Sequence, residues 1–158
     1  RREVLLIGTH NENFKSLVVE GLDFQPAWST TGKKLLYSVD SARSSFKPEL
    51  WIADAYGDTI GANRQTLQLN TWANKCTFAD DNTLYCAVPR DLPEGAGMSP
   101  EVANDTNDDL YKIDLKTGQK TQIGLDGEHN FGTISYDTKN KKIFFTDTHI
   151  TGAFQVNL

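Results

Sequence analysis

The chain has 158 residues, 23% of them charged, and a formal net charge of −5. That acidic balance argues against nucleic acid, whose binding rests on Lys and Arg neutralising phosphates, and no apolar run approaches the ~20 residues a membrane-crossing helix needs. A chain of this size can bury about two-thirds of its unfolded surface, enough for a substantial core. It opens Arg1-Arg2-Glu3 with no initiating Met, as a processed protein or a piece of a longer polypeptide does.

In chain order, residues 3–7 (EVLLI) and 16–20 (SLVVE) read as two short strands. Residues 26–37 (PAWSTTGKKLLY) then set out a phrase that returns at 76–86 (CTFADDNTLYC) and at 134–145 (ISYDTKNKKIFF). Each copy has an aromatic anchor (Trp28, Phe78, Tyr136), a polar turn containing Gly32, Asn82 or Asn140, and an apolar strand. Gly and Asn accept the positive φ that tight hairpins demand. A second phrase follows each copy: ELWIAD at 49–54, DLYKID at 109–114 and AFQVN at 153–157. Further strands are expected at 66–69 and 121–123. No stretch carries a 3.6-residue apolar period, so the fold class is all-β.

Self-similarity at this spacing is the mark of a β-propeller or a related array, although the steps exceed the ~40–45 residues of a compact blade. The strands divide into a partial blade (1–22), two complete blades (23–70 and 71–125) and a second partial blade (126–158). Each complete blade is a four-stranded antiparallel sheet, and together they make about half of a six- to eight-bladed ring. The residues WSTTGKKLLYS followed by ELWIAD resemble the TolB-like propeller repeat, with Thr30 and Thr31 in place of its Pro-Asp pair and no Gly in the second copy. The resemblance implies a non-catalytic module that binds a protein or peptide or serves as a scaffold, in an extracytoplasmic setting. The alternative it implies is the propeller part of a larger hydrolase or of a calcium-dependent lactonase-like enzyme. Closed rings have roughly 4–8 blades. The expected partners therefore include the remainder of the same propeller, or a second copy closing the ring as a homodimer.

Several residues could carry chemistry. Cys76 and Cys86 lie symmetrically about the Asp81 turn, which places them opposite each other in a hairpin. They form a disulfide, or two buried thiols if the register slips by one residue. Asp105, Asn107 and Asp109 match the D-x-N-x-D opening of a calcium loop, but Leu110 stands where an EF-hand has Gly, and no Glu follows at position twelve. Calcium is the one cofactor to consider, and otherwise none is expected. Asn104-Asp105-Thr106 is also a glycosylation sequon. Residues 89–108 form the longest irregular stretch, beyond the ~12–15 of ordinary connections. In propeller geometry this loop, the loop at 40–48 and the links between blades share one face. Asp40, Arg43, Trp72, Arg90, Asp91, His129, Asn130, Asp147 and His149 are the candidate ligand contacts on that face. Trp28 and Trp51 are expected in the core, and Trp72 half exposed. No nucleophile elbow, P-loop or H-E-x-x-H motif occurs, and no catalytic residue is assigned.

Overall fold

A computed structural model describes residues 1–10 and 13–158. The chain is all-β and antiparallel, in four successive sheets. β1 (Arg2–Ile7) pairs with β2 (Asn13–Val19). β3 (Leu22–Trp28), β4 (Lys34–Asp40), β5 (Pro48–Asp54) and β6 (Gln65–Thr66) form a second sheet in chain order. β7 (Cys76–Asp80), β8 (Thr83–Pro89), β9 (Asp108–Asp114) and β10 (Lys120–Ile123) form the third. β11 (Phe131–Asp137), β12 (Lys142–Asp147) and β13 (Ala153–Asn157) form the fourth. The strand boundaries read from the repeated phrases hold to within one to three residues. Where they differ most, at 66–69, Gln68 adopts a left-handed φ of 56°. The ladder breaks there, yet Leu67 N–H still reaches Leu50 O and Leu50 N–H reaches Leu69 O.

The hairpins form for local reasons. In three of them an aspartate closes the turn by accepting backbone N–H groups. Asp80 takes that of Asn82; Asp114 takes those of Lys116 and Thr117; Asp137 takes those of Lys139 and Asn140. These bonds favour the ionised carboxylate, and they hold Asp114 and Asp137 below the ordinary aspartate range, the latter chiefly through the Asn140 side chain. Such side-chain turns are what make Asp a turn former.

The sheets stack face to face, and the alternation of each strand decides which neighbour its side chains meet. Leu35, Tyr37, Val39 and Ala53 of the second sheet pack with Leu6, Leu17 and Val19 of the first. Leu36, Leu50 and Ile52 turn the other way, onto Leu84, Cys86 and Ile113 of the third. Tyr85, Ala87 and Leu110 complete the series against Phe131, Ile143 and Phe145 of the fourth. Because both faces of β4 and β8 are covered, these strands read as nearly unbroken apolar runs. Polar ties cross between sheets as well: Arg64 donates to Val18 O, and Lys120 Nζ to Leu67 O at 3.1 Å.

Cys76 and Cys86 are register partners on β7 and β8 and form a disulfide. The three aromatic anchors do not share one environment. Phe78 and Tyr136 pack against cores, the latter with its ring 5.8 Å from that of Tyr85. Trp28 is 51% exposed, contrary to expectation. β3 is an edge strand of its sheet, and the neighbouring first sheet has only two strands, β1 and β2. Trp28 instead lines an apolar hollow of about 520 Å³ with Leu6, Ile7, Ala55 and Tyr56.

Candidate functional site

The connections gather at two ends of the stack. At one end the short hairpins touch: Thr31 N–H donates to Asp81 Oδ1 at 3.0 Å, and Leu115 N–H to Asn82 O. The Thr31 hydroxyl also bonds Asp81 and is the main influence holding its carboxyl low. At the other end lie the long loops, 41–47 and 90–107, with the links 67–75 and 124–130 between sheets.

The 89–108 stretch, irregular by sequence, is folded. It contains 3-10 turns at Ala96–Met98 and Pro100–Asp105. Leu92, Ala96 and Ala103 pack on Trp72 in a small core of their own. Trp72 is therefore buried, at 6% exposure, and not the half-exposed contact expected, because the loop folds down over it. The loop is also tied to its neighbour: Gly95 N–H donates to Ser45 O, and Gly97 N–H to Phe46 O.

Beneath the loops runs a series of buried polar groups. Thr71 donates to Ala87 O at 2.7 Å, and Ser38 Oγ accepts Ala73 N–H. Lys75 donates to Asp108 at 2.8 Å with side-chain exposures of 8% and 0%. Asp108 also accepts Phe131 N–H at 2.7 Å, while its Oδ1 has no partner. Burial pushes the Asp108 carboxyl up, and Lys75 draws it part of the way back. The fourth sheet has a matching knot. His129 faces Asp147 through Nδ1 at 2.8 Å and Asp126 O through Nε2 at 3.0 Å. Asn130 donates to Ala103 O and Thr106 O and accepts from the Thr148 hydroxyl, each at 2.6 Å. Burial raises Asp147, but bonds from His149 N–H, His129 and Asn130 N–H outweigh it and hold the carboxyl low.

The sequence candidates thus divide. His129, Asn130, Asp147 and His149 come together, and His149 Nε2 lies 2.6 Å from Asn104 O, but their polar atoms serve to fasten loops. Arg90 pairs with Asp109 at 2.9 Å and with Glu128. Arg43 pairs with Glu49 at 3.2 Å and lies over the Trp51 ring. Asp40 is buried at the end of β4. Asp91 is exposed beside Arg90. Asp105, Asn107 and Asp109 do not converge: Asp109 holds Arg90, the Asn107 amide points to Glu128 at 3.4 Å, and Asp105 ends a 3-10 turn. Among the described residues no set of three His, Cys, Asp or Glu side chains is arranged to hold a metal ion.

The loop end holds one cleft that sequence reasoning did not assemble. It measures about 260 Å³ and is lined by Gln25 of β3, Trp72, Asn74 and Lys75 of the link before β7, and Phe131 and Gly132 of β11. Pro100, Ala103, Asn104 and Thr148 close it from the loops. Gln25 Oε1 accepts Asn74 N–H at 2.8 Å, fixing one wall. Asn74-Lys75, directly before the second repeated phrase, was the available signal. The two residues stand at a link between sheets. No protein-family model matches the chain, and no curated protein does.

Proposed function

We propose that the chain is a run of β-propeller blades of the TolB-like kind, and that its loop end is a non-catalytic site for a protein or peptide. Support for the propeller comes from four consecutive antiparallel sheets packed face to face, with like connections at like ends. Apolar side chains left uncovered on the first sheet, Leu5 and Ile7 at 69% and 66% exposure, suit a stack that continues onto a further blade or a second copy. The disulfide fits an oxidising, extracytoplasmic compartment, and no helix among the described residues is long and apolar enough to cross a membrane.

The observation that carries the binding role is the make-up of the cleft. Amide side chains of Gln25, Asn74 and Asn104 offer both donors and acceptors, as peptide groups require. The Lys75 charge is already answered by Asp108, so the cleft is not built for an anion. At about 260 Å³ it falls below the ~300–1,000 Å³ of pockets that enclose a small molecule. It suits one side chain or turn of a larger partner. No nucleophile paired with a base lines it.

The test is selection of binders from a displayed peptide library against the oxidised protein, followed by titration against two variants. Asn104→Arg, which fills the cleft, should weaken the selected peptides at least about tenfold, roughly 1.4 kcal/mol, with melting temperature unchanged. Lys116→Glu, at the hairpin end, should leave them unaffected. Peptides indifferent to the first change, or lost with the second, would overturn the assignment.

A further inference from the structure

Asn104-Asp105-Thr106 is the one N-x-Ser/Thr triplet in the 158 residues, and its middle residue is not Pro. Such a triplet accepts an N-linked oligosaccharide where it lies on the surface of a secreted protein. The fold must then meet three conditions: an exposed Asn, a side-chain amide that the structure does not need, and an oxidising secretory compartment.

All three meet at Asn104. It lies near the end of the 3-10 turn Pro100–Asp105, and both it and Asp105 are exposed. The turn is held by its backbone. The carbonyls of Ala103 and Thr106 accept the Asn130 amide at 2.6 Å each, and that of Asn104 accepts His149 Nε2 at 2.6 Å. Other asparagine amides at this end are spent on the protein: Asn70 on Pro48 O, Asn107 on Glu128, and Asn130 as just described. The Asn104 amide is spent on no acceptor among the described residues, so a substituent on its Nδ2 displaces no native bond. Thr106 leaves the turn in extended backbone, and its hydroxyl makes one long bond, 3.4 Å to Asn107 O. The Cys76–Cys86 disulfide is an independent mark of the oxidising compartment in which such oligosaccharides are attached.

We propose that Asn104 is an N-glycosylation site. The donor is an oligosaccharide joined through its C1 to a polyprenyl diphosphate and presented by a transferase. Asn104 Nδ2 attacks C1, the C1–O bond breaks, and the polyprenyl diphosphate leaves with the bonding electrons. The new N–C1 bond replaces one amide N–H, whose proton passes to a base of the transferase; nothing is oxidised or reduced. Position gives the modification a consequence. Asn104 closes the cleft of about 260 Å³ from the loop side, together with Pro100 and Ala103 of the same turn. An N-glycan is bulky and hydrophilic, and leaving from this pinned turn it covers the cleft mouth. This consequence rests on the reading of the cleft as a peptide site: the glycosylated chain is its closed form and the unglycosylated chain its open one.

Secretion from a eukaryotic cell line, followed by intact-mass measurement, tests the site. The wild type should carry added mass that peptide-N-glycosidase removes. Thr106→Ser, which keeps the triplet, should carry it too, whereas Thr106→Ala and Asn104→Gln should carry none. Thr106→Ala gives up only the long bond to Asn107 O and leaves the three carbonyl ties and the Asn104 amide in place. Asn104→Gln gives the answer if that variant does not fold. A wild type of unmodified mass, or an oligosaccharide that persists in both variants, would overturn the proposal. Peptides selected on unglycosylated protein then test the cover. They should bind secreted Thr106→Ala undiminished, and glycosylated wild type at least about tenfold more weakly, a difference of one decade in Kd. Equal affinity for the two would overturn the cover. The two readings fail separately: peptides that never bind at the cleft sink the binding role, while the mass still decides the modification.

Discussion

At the residue scale, the buried Lys75–Asp108 pair is the contact on which the loop end most depends. Asp108 lies wholly inside, and its two observed partners are Lys75 and the Phe131 N–H, so it joins the link before β7 to the first residue of β11. Removing one member of a buried pair leaves an uncompensated charge, which costs about 3–5 kcal/mol. Lys75→Met should therefore unfold at markedly lower denaturant than the wild type at pH 7. Lys75→Met with Asp108→Asn should recover much of the loss, because no charge is left buried. The pH dependence has a definite sign. The Asp108 carboxyl is already pushed up by burial and loses its main counterweight in Lys75→Met, so the variant's deficit should shrink as pH falls toward the ordinary aspartate range and grow as pH rises. A deficit independent of pH would show that Lys75 acts by packing its stem and not by its charge.

At the element scale, much of the β-structure could be read from the sequence because each strand and turn is determined locally. The aspartate-closed turns, the Gly32 hairpin and the apolar runs of β4 and β8 carry their signals within a few residues, whereas the positive φ expected of Asn82 and Asn140 is not adopted there and falls instead on Lys141 in the last hairpin. The pairing of Cys76 with Cys86 follows in the same way from a symmetric hairpin. What could not be read depends on partners distant in the chain. Trp28, at the end of a strand, is exposed and Trp72, in a link, is buried, each according to which sheet or loop arrives opposite. Lys75 meets Asp108, and Gln25 meets Asn74, only after the sheets have stacked. The hairpin disulfide yields a prediction at this scale. Closing a loop of this length stabilises by about 2–3 kcal/mol in the chain-entropy account. Cys86 also sits at 0% exposure in the core between the second and third sheets. Reduction should therefore lower the melting temperature by roughly 5–10 °C for a chain of this size. Equal melting with and without reductant, in a sample whose mass confirms the oxidised bond, would show that hairpin and core hold that register unaided.

At the scale of the whole molecule, the stack is close to one-dimensional: each sheet shares a core only with the next, and three separate clusters join four sheets. Stability in such an arrangement is approximately the sum of what each sheet holds by itself and what each interface adds. The second and third sheets have four strands and two covered faces. The first has two strands, one covered face and exposed Leu5 and Ile7; the fourth has three strands and exposed Phe144. Opening should therefore begin at the ends and reach the middle last. In native-state hydrogen exchange under mild denaturant, β4 and β8 should open only with the whole molecule. The strands β1 and β13 should exchange through smaller openings of lower free energy. A partner that covers the outer face of the first sheet should raise protection first at β1, since it adds an interface of the kind that already protects β4. Uniform exchange across all four sheets would instead mean that the stack unfolds as one cooperative block. The polar ties at its two ends, Thr31 to Asp81 at the hairpin end and the Lys75–Asp108 knot at the loop end, would then couple the sheets more strongly than their apolar interfaces do.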